Sequence, residues 1–137
     1  KVRCAELCGR QHAYMEGPVR VVAAADFDAW VAEEAALAAD PVARGAKWSS
    51  AFGCVGCHSL DGQSGVGPTW KGLAGSTVTL ADGTTRVADD AFLIESIVDP
   101  EATLVQGFPA NLMPKTFSDK LTVEQIQDLV AYIRSLK

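Results

Sequence analysis

The amino-acid sequence predicts a mainly α-helical domain with one small β-hairpin, preceded by a short segment of different character. Three observations carry that prediction. Capped helical stretches with one apolar face recur between Asp40 and Lys137, a hairpin signal lies between two of them, and Cys54-Val55-Gly56-Cys57-His58 interrupts the series with a motif built for chemistry.

Taken in order, Gly17-Pro18 turns the chain into Val19-Arg20-Val21-Val22, whose alternation predicts a short strand. Asp26 can cap a helix from Phe27 onward, with Phe27, Trp30, Val31 and Ala38 on one face. The alanine-rich run to Ala39 has high helix propensity but a thin apolar stripe, as expected of a connector resting on a neighbour. Asp40-Pro41 is a second start, an N-cap acid followed by proline at the first helical position. Val42, Gly45, Trp48, Ser49 and Phe52 then recur at helical spacing, and the side-chain-free Gly45 would let another helix cross closely. This helix should end near Gly53 and deliver Cys54.

Loop chemistry follows His58, in Asp61-Gly62 and Ser64-Gly65-Val66-Gly67-Pro68. Thr77–Leu80 and Thr84–Val87 alternate on either side of Ala81-Asp82-Gly83, which predicts a hairpin flap. Asp89 or Asp90 caps the next helix, carrying Phe92, Leu93, Ile94, Ile97 and Val98 until Asp99-Pro100 stops it. Thr103 to Thr116 reads as irregular. Thr122-Val123-Glu124-Gln125 is a capping box, and the helix it opens keeps Ile126, Leu129, Val130, Ile133 and Leu136 on one face, with Tyr132 at the border.

The chemistry begins at Cys54 and Cys57. Two thiols three positions apart, followed directly by an imidazole, form the attachment pattern of a c-type haem. Each thiol can add to one vinyl group on the porphyrin, and His58 is then delivered to the iron as an axial ligand. A thioredoxin-like redox pair or half of a zinc site would also use two such cysteines. A metal-bound histidine donates its other ring N–H to an acceptor, a part the Pro68 carbonyl can play. Trp70 either reaches a haem propionate through its indole N–H or fills core. Loops on both sides should frame an apolar haem edge from Val55, Gly56, Val66, Leu112 and Pro114.

The whole chain holds two His and two Met. An electron carrier needs a second strong axial ligand far enough along the chain to wrap round the ring. Met113, directly before Pro114, meets that need, and His/Met ligation raises the potential of cytochromes c. Six-coordinate iron has no vacant position for a substrate, and no third histidine or acid–base pair is present. One covalent haem c serving electron transfer is therefore expected, and no catalytic residue. A haem-based ligand sensor would require Met113 to leave the iron readily. The remaining ligand-type residues cluster in Cys4, Glu6, Cys8, His12 and Met15. Two thiolates, an imidazole and a weak thioether suit copper, although a frayed tail carrying a disulfide would use the same cysteines.

At 137 residues the chain suits one domain with its own core. A net charge of −5, with no basic run, argues against nucleic acid. No stretch of eighteen apolar residues spans a membrane. The chain starts at Lys1 without a signal peptide, and because haem attachment to thiols occurs outside the cytoplasm, a mature product or an excised fragment is expected.

Residues 40–137 resemble a class I cytochrome c: Cys-Val-Gly-Cys-His, Gly67-Pro68, Asn111-Leu112-Met113-Pro114 and a terminal helix with Ala131-Tyr132-Ile133 occur in the family's order. That resemblance implies covalent haem on Cys54 and Cys57, axial His58 and Met113, and a crossing of the first and last helices near Gly45, Trp48 and Tyr132. Residues 1–39 resemble the end of subunit II of haem–copper cytochrome c oxidases. There the pattern implies that Cys4 and Cys8 bridge the two coppers of Cu-A, that His12 and Met15 ligate, and that Glu6 contributes its backbone carbonyl. The tandem matches caa-type oxidases, whose subunit II carries a cytochrome c at its C-terminus. It implies a cupredoxin remnant over 1–24, a connecting helix over 25–39 and a cytochrome c domain over 40–137. The implied partners are the Cu-A domain of the same subunit, the other oxidase subunits, and a soluble donor, either a cytochrome c or an iron–sulfur protein. The implied location is the periplasmic face of a bacterial plasma membrane, with the anchor in an earlier part of the subunit. Cu-A also needs a histidine from an earlier strand, so Cu-A is expected only in the intact subunit. A stand-alone cytochrome or one serving a dehydrogenase is the alternative role.

Overall fold

The computed structural model describes residues 1–5 and 12–137. The chain divides into two compact units, Lys1–Ala35 and Ala36–Lys137. No helix among the described residues is long and apolar enough to cross a membrane.

In the first unit, β1 (Val2–Arg3) pairs antiparallel with β2 (Glu16–Gly17), placing Val2 opposite Gly17 and Arg3 opposite Glu16. Glu16 accepts Arg3 at 2.6 Å and Lys1 at 3.0 Å. None of the described residues of this unit is buried. The strand expected at Val19–Val22 does not form: these residues have no assigned secondary structure, and pairing uses Glu16–Gly17 instead. Alternation alone cannot make a strand, because a strand also needs a partner for its backbone groups. The helix expected from Phe27 starts earlier, as α1 (Ala24–Ala39), with Asp26 inside its first turn rather than at its cap. Ala24 and Ala25 extend the helix backwards at little cost. Phe27 and Trp30, both about half exposed, hold their rings 5.7 Å apart on one face of α1.

The second unit is helical around one core. α2 (Pro41–Ala51) opens where the Asp40 side chain accepts the Val42 N–H at 2.9 Å, with Pro41 in the first turn. It packs along α5 (Val123–Ser135), which opens on the full capping box: Thr122 Oγ1 accepts from the Gln125 N–H, and Gln125 Oε1 accepts from the Thr122 N–H. Gly45 is buried at the contact, its Cα facing the Asp128 carbonyl and Tyr132. Beside it Arg44 donates to both carboxylate oxygens of Asp128, at 2.8 and 2.6 Å, and the Trp48 indole N–H donates at 3.2 Å. The Arg44 hydrogen bond, aided by Trp48, holds the buried Asp128 carboxyl below its ordinary range despite desolvation. A folded-state value depressed in this way contributes stability that is fully present above the unfolded value, near 3.9, and is lost as pH falls through the lower folded value.

Between these helices, β3 (Thr77–Thr79) and β4 (Thr85–Val87) form the expected hairpin, with Thr77 opposite Val87, and Leu80 bridges to Val105. Asp82 accepts from Thr84, and Gly83 takes the left-handed φ of 84° that the turn requires. α3 (Asp90–Val98) is capped by Asp89, which accepts the Phe92 N–H at 2.8 Å, and stops at Asp99. A short α4 (Phe117–Lys120) was not legible in the pattern; its four residues span barely one turn, too few to show a period. Phe92, Leu93, Ile97, Phe117, Leu129 and Ile133 form the heart of the core. The same six residues also line the cavity described next.

Candidate functional site

α2 ends at Ala51, and Gly53 takes a left-handed φ of 75° that turns the chain away from the helix axis. Cys54–Gly56 then forms a single 3₁₀ turn closed by the Cys57 N–H to the Cys54 carbonyl at 3.1 Å, and the His58 N–H reaches the same carbonyl at 3.0 Å. In such a turn side chains three positions apart eclipse, so Cys54 and Cys57 come to one side. No disulfide joins them. Burial pushes the Cys54 thiol up, which keeps it protonated.

His58 is held on three sides. Its Nδ1 lies 2.8 Å from the Pro68 carbonyl. A carbonyl only accepts, so Nδ1 carries the proton and Nε2 is left with a lone pair to bind a metal. The Trp70 ring stacks on the imidazole at 5.1 Å and 19°, and meets Tyr132 edge-on at 6.3 Å. Gly67 closes the third side: a Cβ there would stand 2.8 Å from His58 Cε1. Burial lowers the His58 pKa against the opposing effect of the Pro68 contact, so the ring is neutral, as a metal ligand must be. Around it, the Gly67 N–H binds the Cys57 carbonyl at 3.0 Å and the Trp70 N–H binds the Ser59 carbonyl at 2.9 Å, which folds the loop back onto the motif.

Cys54, Cys57, His58, Pro68, Trp70 and Met113 all line one cavity of about 210 Å³. Its wall is mostly apolar and continues into the core through Phe92, Leu93, Leu129 and Ile133. Met113 is half-buried and packs against that core from the irregular segment before α4. Val66 and Leu112 line the cavity and are about half exposed, so they sit at its mouth, and Val55 is exposed within the motif.

The donor set fits a haem. An apolar slot, two thiols on one side, a histidine with Nε2 free and a thioether from a distant loop provide what attachment and two axial bonds require. The missing Cβ at Gly67 is part of that fit, because a side chain there would displace the imidazole. Spacing alone did not reveal this packing role for Gly67, nor the stacking of Trp70; a glycine and an aromatic near the motif were the only signals.

Comparison with known proteins agrees. Residues 42–137 match the family model described as Cytochrome c. The chain belongs to the cytochrome c family. Membership implies a covalent haem c and an electron-transfer domain of the class I cytochrome c fold, mostly helical with small two-stranded sheets. The cytochrome c2 iso-1 of Magnetospirillum molischianum is 30% identical, over 61% of this chain and 90% of its own length. Two longer relatives align over nearly the whole chain. Cytochrome c oxidase subunit 2 of Alkalihalophilus pseudofirmus is 32% identical over 100% of this chain and 39% of its own length. Its counterpart from Bacillus sp. (strain PS3) is 33% identical over 98% of this chain and 38% of its own. The chain thus spans about two fifths of the length of these oxidase subunits.

The copper-type residues belong to the first unit. The Cys4 N–H donates to the Met15 carbonyl at 3.2 Å, and the Met15 N–H to the His12 carbonyl at 3.2 Å, so the backbones of Cys4, His12 and Met15 are linked in the connection between β1 and β2. Glu6 and Cys8, the other two expected ligands, lie outside the described residues.

Proposed function

We propose that this chain is the haem-bearing end of a cytochrome c oxidase subunit 2, which accepts electrons from a soluble donor and passes them to Cu-A in the same subunit. The observation that carries this reading is coverage: the oxidase subunits align through residues 1–39 as well as the haem domain, whereas the cytochrome c2 relative aligns over 61% of the chain. The Cys4–Met15 segment supports it, because soft ligands of that kind suit copper. On this reading residues 1–24 close the Cu-A domain, 25–39 connect, and 40–137 form the haem domain. Cys4, Cys8, His12, Met15 and the Glu6 carbonyl ligate copper once the earlier part of the subunit supplies the remaining histidine. The subunit sits on the periplasmic face of the plasma membrane beside the other oxidase subunits.

Within the haem domain, Cys54 and Cys57 would hold the haem through thioether links. His58 would bind the iron through Nε2 while Pro68 holds its Nδ1 proton, and Met113 would supply a second ligand. When bound, the haem supplies a one-electron ferric–ferrous couple. Trp70 would keep the imidazole plane in place, and the largely apolar wall would limit how much reorganises as the charge changes. Val66 and Leu112 offer a small apolar surface at the mouth, suited to a brief redox encounter. The short connection through residues 25–39 would tether the haem domain to the Cu-A domain, which raises its effective concentration there.

The test is rapid mixing of the intact, copper-loaded subunit with a sub-stoichiometric reductant. Haem oxidation should mirror Cu-A reduction with a first-order rate independent of protein concentration. A rate that rises in proportion to concentration would refute an internal relay.

A further inference from the structure

The segment that carries Met113 has no helix or strand between the bridge at Val105 and α4. Something outside it must hold the thioether at a fixed depth. Two residues before Met113, Asn111 takes a left-handed φ of 62°, and among the described residues it is the one non-glycine to do so. Asparagine tolerates that conformation, but it still needs a compensating contact. That contact is Glu101: its Oε1 accepts the Asn111 N–H at 2.7 Å. Two residues after Met113, Lys115 brings Nζ to 3.8 Å from the other carboxylate oxygen of Glu101. One carboxylate therefore contacts the segment on both sides of Met113, through a backbone hydrogen bond at Asn111 and a longer ion pair to Lys115.

Glu101 is itself anchored. It follows the end of α3, where the Asp99 N–H binds the Glu95 carbonyl at 2.8 Å and the Ala102 N–H binds the Asp99 carbonyl at 3.0 Å. Two residues on, Thr103 donates to Glu95 Oε1 at 2.9 Å, and Glu95 is paired with Arg86 at 2.6 Å. Glu101 also borders the cavity, and only a quarter of its side chain is exposed. A charge-assisted hydrogen bond in partial shelter is stronger than a neutral one.

We infer that Glu101 is a positioning residue that sets how firmly Met113 stays on the iron, an inference that rests on Met113 being the axial ligand. Opening of the Met113 side exposes the iron to an added ligand, so the apparent affinity for that ligand rises in proportion to the open fraction. The experiment titrates imidazole into the ferric haem-loaded chain. Glu101→Ala should raise the apparent imidazole affinity about tenfold and weaken the far-red band of methionine-ligated ferric haem. Glu101→Gln keeps a neutral acceptor and should give a smaller rise, about threefold. Glu101→Asp, with the charge retained on a shorter arm, should stay at or below the Gln value. If Glu101→Ala does not fold with haem, Glu101→Gln decides alone. Affinities equal to the parent in the variants that fold overturn the inference. Met113→Ala in the same titration separates the two readings: if it leaves the band and affinity unchanged, the axial assignment fails. If it removes the band while the Glu101 variants behave as the parent, only the positioning role fails.

Discussion

Met113→Ala should abolish the far-red band of the ferric protein and lower the reduction potential on the order of 0.2 V, within the roughly 0.8 V that axial ligands span in haem proteins. The thioether is a soft, neutral donor that favours ferrous iron, and alanine offers nothing in its place. The side chain comes from an irregular segment but rests on the core through one face of the cavity, so its loss leaves the rest of the fold in place. Redox titration of the haem-loaded variant checks this. An unchanged potential with the band intact would mean that another group binds the iron opposite His58.

Gly45→Ala should cost about 3 kcal/mol of stability, at the upper end of overpacking effects, and lower Tm by roughly 15 °C. The added Cβ would fall 2.1 Å from the Asp128 carbonyl oxygen and 2.6 Å from Tyr132 Cβ. Neither atom can rotate away, so α2 and α5 must separate. Separation pulls Arg44 and Trp48 from Asp128, which is buried and would keep its charge with weaker partners. The effect reaches the haem site as well, because α2 ends at the Cys54 turn and Tyr132 supports Trp70 behind His58. Thermal unfolding followed at the haem band and by far-ultraviolet dichroism should show both signals shifting together. A Tm within two or three degrees of the parent, well inside the effect of 1 kcal/mol, would show that the helices can part without loss.

Much of this molecule is legible because its key features are local. Asp40-Pro41, Asp89 and the Thr122/Gln125 box act within a few residues of themselves, and each starts a helix where its side chain accepts a backbone N–H. The cysteine–histidine motif is local too, since one turn suffices to set Cys54, Cys57 and His58. The His and Met count extended that reading to a distant residue, and the structure brings Met113 to the same cavity. What the sequence hid depends on neighbours far along the chain. Asp128 looks like a solvated helix acid until Arg44 and Trp48 are seen beside it, 84 and 80 positions away. Glu101 looks like a surface charge until its carboxylate is seen to bracket Met113. The strand expected at Val19–Val22 failed for the converse reason, as a local pattern without a partner.

On the proposed function, His58 and Met113 close the iron on both faces, so that it carries electrons rather than substrates. Exposure of the ferrous haem-loaded protein to carbon monoxide at neutral pH bears on this closure most directly. An unchanged visible spectrum, with the far-red band present after reoxidation, is the predicted result; prompt and complete carbon monoxide binding would contradict it.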